Sequence, residues 1–98
     1  MGRGGGAYQT AKGGTINLTR YLAGQLGEYG ITVNCISPGQ IPRPDHEPEF
    51  VEKARLSIPL ERTGMPDDLK GAVALLASSA GSWITGHNLV VDGGWSIW

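Results

Sequence analysis

Between Ala7 and about Glu28 apolar side chains return at helical spacing for about five turns, and this repeat constrains the fold more than any other stretch. Ala11, Leu18, Leu22 and Leu26 form the stripe, with Ile16 and Tyr21 beside it. Gly13 and Gly14 sit inside the helix at a cost of roughly 1 kcal/mol each relative to alanine, which predicts another backbone packed closely against them. Gly27 and Gly30 supply the left-handed positions that stop a helix. The same helix carries Tyr8 and Lys12 in YQTAK, on one face and one turn apart. A cation held near a phenol favours the phenolate and lowers its pKa from about 10, which makes the pair a general acid/base device. Alone the spacing is weak, since ordinary amphipathic helices with an exposed lysine share it.

The order of elements after the helix narrows the fold to an α/β class. Thr32 to Ser37 is β-branched at Thr32, Val33 and Ile36 and is bounded by Gly30 and Pro38-Gly39, as a buried strand is. Ligands in open α/β sheets sit beyond the carboxyl ends of the strands, so Pro38, Gly39, Gln40 and Ile41 are expected at a ligand edge. QIPRPDHEP holds three of the six prolines and reads as an irregular loop. Asp45, His46 and Glu47 are adjacent and point in different directions, so they read as solvated loop charges rather than a metal cluster. Pro48 to about Ser57 is predicted as a short helix, with Pro48 in its first turn and Phe50, Val51, Ala54 and Leu56 offering apolar contacts. A further helix starts at Pro66, carries Leu69, Ala72, Val73, Leu76 and Ala77 as its stripe, and ends near Ser79 to Gly81. Asn88 to Asp92 is the second strand, joined to the first by a right-handed crossover to a parallel neighbour, with His87 as a turn residue before it.

These motifs in this order resemble the C-terminal part of a short-chain dehydrogenase/reductase. Tyr8 and Lys12 match that family's Tyr-x-x-x-Lys signature, Pro38 and Gly39 its Pro-Gly turn, and Asp92, Gly93 and Gly94 its usual ending. The resemblance implies a partial Rossmann-like α/β fold over residues 1–98: long helix, strand, loop and short helix, helix, strand. It implies an NAD(P)-dependent oxidoreductase of alcohol or carbonyl substrates, with Tyr8 as acid/base and Lys12 binding the nicotinamide ribose and activating the tyrosine. Pro38, Gly39 and Ile41 match the turn that abuts the nicotinamide, and Arg43 stands where many members carry a threonine that also contacts the cofactor. The Pro48 helix looks like the mobile helix that lies over substrate in the family.

The family's Gly-rich dinucleotide loop, its catalytic asparagine and its catalytic serine all precede the tyrosine, and only seven residues do so here. Met1 to Gly6, with four glycines in six residues, reads as a flexible lead-in and resembles the loop that follows that serine. No G-x-G-x-x-G phosphate-loop pattern is present in it. The chain is therefore expected to be a truncated C-terminal half that lacks most of the dinucleotide site and is not competent alone. Lost sheet partners predict a homo-oligomer, dimer or tetramer, pairing sheet edges or long helices, or else binding to a full-length family member. The alternative is a non-catalytic oligomeric or interaction protein, or a remnant without a selected role.

Composition excludes several other classes. A net charge of -1 from eight basic and nine acidic residues leaves no electrostatic footprint for nucleic acid or an anionic membrane. Cys35 is the single cysteine and has no internal disulfide partner. No run approaches a membrane span, and neither a signal peptide nor a myristoylation signal is read at the N-terminus, so the cytosol is the expected compartment. Trp83, Trp95 and Trp98 read equally as interface anchors or substrate contacts.

Overall fold

A computed structural model describes residues 6–97. The elements are α1 (Gly6–Leu26), β1 (Cys35–Pro38), α2 (Pro48–Leu56), α3 (Lys70–Ala77) and β2 (Asn88–Val91). Short 3₁₀ turns follow α1, precede and follow α3, and close the C-terminus. The expected lead-in at Met1 to Gly5 and the expected anchor Trp98 lie outside the described residues, while Gly6 already belongs to α1.

The helix stops as its glycines predict, but through one of them. Gly30 adopts φ 75° and its N–H donates to the Gly27 carbonyl at 2.9 Å, while Ile31 N–H reaches the Leu26 carbonyl at 3.3 Å. Gly27 lies in the 3₁₀ turn and is not among the residues with positive φ. The chain then turns back along the sheet.

β1 and β2 are parallel, with Cys35 opposite Asn88 and Pro38 opposite Val91. This is the α/β arrangement expected, with both strands shorter than predicted. The first begins at Cys35, and the residues before it are held by a mixture of backbone and side-chain bonds, the Val33 carbonyl accepting the Gly86 N–H at 2.7 Å. Val33 N–H donates to Thr85 Oγ1 at 3.0 Å, and Asn34 donates from Nδ2 to the Ile84 carbonyl and accepts the His87 N–H at Oδ1. His87 is therefore a turn residue, as expected, and its carbonyl accepts the Cys35 N–H. Asp92 leaves β2 for a turn: its carbonyl accepts the Trp95 N–H at 3.2 Å, Oδ1 accepts the Gly94 N–H and Oδ2 the Ser96 N–H. Gly93 and Gly94 take φ of 67° and 97° in the turn that follows.

α2 starts at Pro48 with Glu49 in its first turn and Lys53 and Arg55 in its last, a charge order that suits the helix dipole. The helix expected from Pro66 is divided. Residues Pro66–Leu69 form a 3₁₀ turn before α3 proper, since Asp68 bonds back to Met65 at both its carboxylate and its amide.

Packing departs from expectation along α1. Thr19 and Ala23 are its buried residues, and Thr19 satisfies its hydroxyl on the Thr15 carbonyl at 2.8 Å. Leu18, which the apolar period assigns to the covered stripe, and Tyr21 beside that stripe are 56% and 62% exposed. A Cβ at Gly13 or Gly14 would meet nothing within 4 Å, so no close backbone accounts for those glycines within the described residues. Both corrections have one cause: the surface of α1 that carries these residues has no neighbour among the described residues. Among the described residues only Ala23 and Ile58 are buried apolar side chains. The radius of gyration is 15.4 Å against about 13 Å for a compact domain of this length. A core this thin buries little of what the sequence patterning sets aside for burial.

Arg62 and Asp68 hold the segment between α2 and α3 with two hydrogen bonds of 2.9 and 2.8 Å. The Arg62 guanidinium first, then the Met65 N–H, holds the Asp68 carboxyl down at about 2. A depressed acid contributes stability above its ordinary pKa of 3.8 and loses that contribution as pH falls through about 2. We expect the Asp68 carboxyl carbon to titrate near 2 by NMR, and Arg62→Gln to move that midpoint up towards 3.8. An unchanged midpoint in the variant means that the guanidinium is not the cause.

Candidate active site

The two strands end side by side, and the turns leaving them define the upper edge of the sheet. Gly39 N–H donates to the Val91 carbonyl at 3.0 Å, carrying the parallel pairing one residue past Pro38. A Cβ at Gly39 would stand 2.5 Å from Asp92 Cβ and 2.8 Å from its Cα. Only glycine lets the two strand ends approach this closely. The Gln40 carbonyl then accepts the Gly64 N–H at 2.8 Å, which ties the turn to the segment before α3.

The residues singled out from the sequence fall into two hollows. Tyr8 and Lys12 line the first, about 250 Å³, together with Thr15 and Ile16 of α1 and Cys35, Ile36 and Ser37 of β1. Tyr8 is 55% exposed and Lys12 is half-buried, and Lys12 forms no ion pair among the described residues. Gly39 and Ile41 line the second, about 130 Å³, which Arg62, Asp68 and Asp92 complete. Pro38 is exposed and lines neither. Arg43 is exposed as well and pairs with Asp45 at 3.2 Å. Its N–H donates to His46 Nδ1, and the His46 ring packs against Phe50 at 4.7 Å. Among the described residues no group of three or more His, Cys, Asp or Glu is placed to hold a metal ion.

Two contributors escaped the sequence reading. Asn88 accepts from the buried Ser37 hydroxyl at 2.5 Å and from the Cys35 thiol at 3.4 Å, which fixes the floor of the first hollow. A polar residue opening an otherwise apolar strand was the available signal. The Arg62–Asp68 pair bounds the second hollow, and no periodicity marks two partners six residues apart in an irregular segment. Cys35 is half-buried on β1, close to the expected strand position.

A long helix carrying Tyr and Lys across a parallel strand, with a glycine turn at that strand's carboxyl end, defines part of a Rossmann-type dinucleotide fold. Comparison with known proteins agrees. The family described as enoyl-(acyl carrier protein) reductase matches residues 1–96. The ribulose-forming D-arabinitol 2-dehydrogenase of Scheffersomyces stipitis is 41% identical over 93% of this chain and 35% of its own length. A short chain dehydrogenase from Leptospira borgpetersenii, solved with bound NAD+, superposes with a TM-score of 0.87 at 43% identity, covering 93% of this chain and 35% of that one. Pseudomonas aeruginosa RhlG, solved as an active-site complex with NADP, gives 0.86 at 34% identity, covering 97% and 40%. The chain belongs to the short-chain dehydrogenase/reductase family and corresponds to the C-terminal part of its members. It spans little more than a third of the length of these relatives. No helix among the described residues is long and apolar enough to cross a membrane.

Proposed function

We propose that this chain supplies the catalytic, nicotinamide-facing side of an NAD(P)-dependent oxidoreductase of alcohol or carbonyl substrates, and works together with a dinucleotide-binding half like that of its relatives. The observation that carries the reading is the shared hollow of Tyr8 and Lys12 against the floor Cys35–Ser37. Its volume of about 250 Å³ falls below the roughly 300–1,000 Å³ of pockets that enclose a whole ligand. That size suits the nicotinamide end of a dinucleotide.

In the reductive direction the Tyr8 hydroxyl gives its proton to the substrate oxygen, and in the oxidative direction the phenolate takes it back. Lys12 places a positive charge beside that oxygen and holds the ribose hydroxyls. Pro38, Gly39 and Ile41 form the turn against the nicotinamide. A bound dinucleotide supplies the hydride. Relatives solved with NAD+ and with NADP support this cofactor class without choosing between the two.

A second copy or a full-length relative is one source of that half. The thin core and the bare Leu18 and Tyr21 face of α1 favour such completion. The same observation supports a second reading, a non-catalytic interaction protein that binds a relative through these surfaces, or a remnant that has lost its role.

Titration of NADH and NADPH against the purified chain, with its mass in solution measured in parallel, separates these readings. Micromolar binding by an oligomer is the expected result for a rebuilt pocket. Absence of binding up to millimolar cofactor, alone and with a full-length relative, overturns the oxidoreductase reading.

A further inference from the structure

Five side chains lining the hollow of Tyr8 and Lys12 carry a hydrogen that can be donated, and three of them have already committed it elsewhere. Thr15 Oγ1 donates to the Ala11 carbonyl at 3.1 Å, one turn back along α1. Ser37 and Cys35 both donate to Oδ1 of Asn88, at 2.5 and 3.4 Å. Asn88 does not line the hollow itself. It stands half-buried opposite Cys35 in the parallel register, and it reaches both floor residues because Cys35 and Ser37 lie two apart, on one face of β1. A hydroxyl or thiol has one hydrogen, so once that is committed only lone pairs remain for whatever enters. The polar lining is thereby sorted: Tyr8 and Lys12 donate, while Thr15, Cys35 and Ser37 accept. Among the described residues no carboxylate lines the hollow, so these lone pairs are the negative side of a site whose formal charge is the Lys12 ammonium.

We propose that Asn88 is a positioning residue that sets the redox preference of the nicotinamide. By turning the Ser37 and Cys35 hydrogens away from the hollow, it favours the cationic ring of the oxidised cofactor over the neutral ring of the reduced one. The inference rests on the cofactor reading above. A fixed acceptor dipole at short range stabilises the charged ring and leaves the neutral one almost untouched. Ser37 is 7% exposed, so little water competes for its lone pairs and the dipole acts at full strength. Without Asn88 the hydroxyl rotates freely, its hydrogen can face the hollow, and the bias is lost. Holding the bound couple on its oxidised side also makes the reduced form the stronger hydride donor, so Asn88 favours carbonyl reduction.

The test is the ratio of the NAD+ and NADH dissociation constants, measured by calorimetry for the parent chain and for Asn88→Leu, which keeps the volume of the side chain and removes its acceptor. The variant is expected to shift the ratio against NAD+ by about three- to tenfold, the worth of an ordinary hydrogen bond. Asn88→Asp retains the acceptor and should keep the preference for NAD+. Ser37→Ala deletes only a hydroxyl and should shift the ratio the same way as Asn88→Leu, which keeps the test open if the leucine variant loses its fold. Cys35 is the single cysteine, so its S–H stretch is one infrared band, expected to move to higher wavenumber in Asn88→Leu as the thiol loses its acceptor. Dissociation constants that rise together with an unmoved ratio overturn the inference, make Asn88 a structural residue only, and leave the cofactor reading standing. An S–H band indifferent to Asn88→Leu overturns it as well. A parent chain that binds neither NAD+ nor NADH, alone or with a full-length relative, removes the cofactor reading and this inference with it.

Discussion

Replacing Tyr8 by phenylalanine is expected to lower the rate of carbonyl reduction by about 10²- to 10⁴-fold in any assembly of this chain that binds NADH or NADPH. Cofactor affinity should stay within about twofold, because the ring remains and only the proton donor is lost. Tyr8 lines the hollow with a side chain more than half exposed, so the substitution removes no core packing. Lys12→Met is expected to behave differently, weakening cofactor binding and slowing turnover together, since Lys12 is assigned both the ribose and the charge beside the phenol. Steady-state kinetics with separate kcat and KM distinguish the two. A Tyr8→Phe variant with undiminished kcat excludes Tyr8 as the proton donor.

Gly39→Ala carries the second large effect. Its new methyl would overlap both Cα and Cβ of Asp92, and neither can withdraw easily. Asp92 is pinned by the amides of Gly94 and Ser96 through its carboxylate, while Gly39 itself is bonded to Val91. Separating the strand ends is expected to cost about 1–3 kcal/mol by denaturant unfolding, as overpacking generally does. Gly14→Ala is the control. Nothing lies within 4 Å of the added methyl there, so the helix should gain up to about 1 kcal/mol from propensity alone. A Gly14→Ala variant that loses stability or association instead would reveal a partner seated on that face of α1.

Much of this was legible before the structure, and the exceptions have a common origin. The length of α1 and the Asp-Gly-Gly turn are local signals and appear where the residues put them, whereas Pro38 of the expected Pro-Gly turn lies within β1 and Gly39 prolongs the pairing. The fates of Leu18, Tyr21, Gly13 and Gly14 were not legible, because a hydrophobic period records the surface a helix is suited to bury and says nothing of whether the same chain supplies the cover. Val33 and Asn34 look like strand residues by type. They lie outside the ladder, with Thr85 and the Asn34 amide making bonds beside the one backbone bond from Gly86 N–H to the Val33 carbonyl. Tyr8 and Lys12 were found from spacing and family resemblance together, whereas Asn88 beneath them depends on a register between segments 53 residues apart.

That register carries a kinetic consequence. The bonds joining the two ends of the sheet, from Val33 to Thr85, Asn34 to Ile84 and Ser37 to Asn88, all span 50 residues or more of chain. Closing a flexible loop of that size costs about 3.5 kcal/mol plus a constant before the first of these bonds forms. Local helices can appear early, but the sheet has no short-range contact to nucleate it, so strand pairing is the late event of folding. Until then the two segments are available to strands of other molecules. Cleavage in the exposed stretch around Pro44 and Asp45 would turn closure into a bimolecular encounter, and the order of α1 relative to β2 would then depend on concentration.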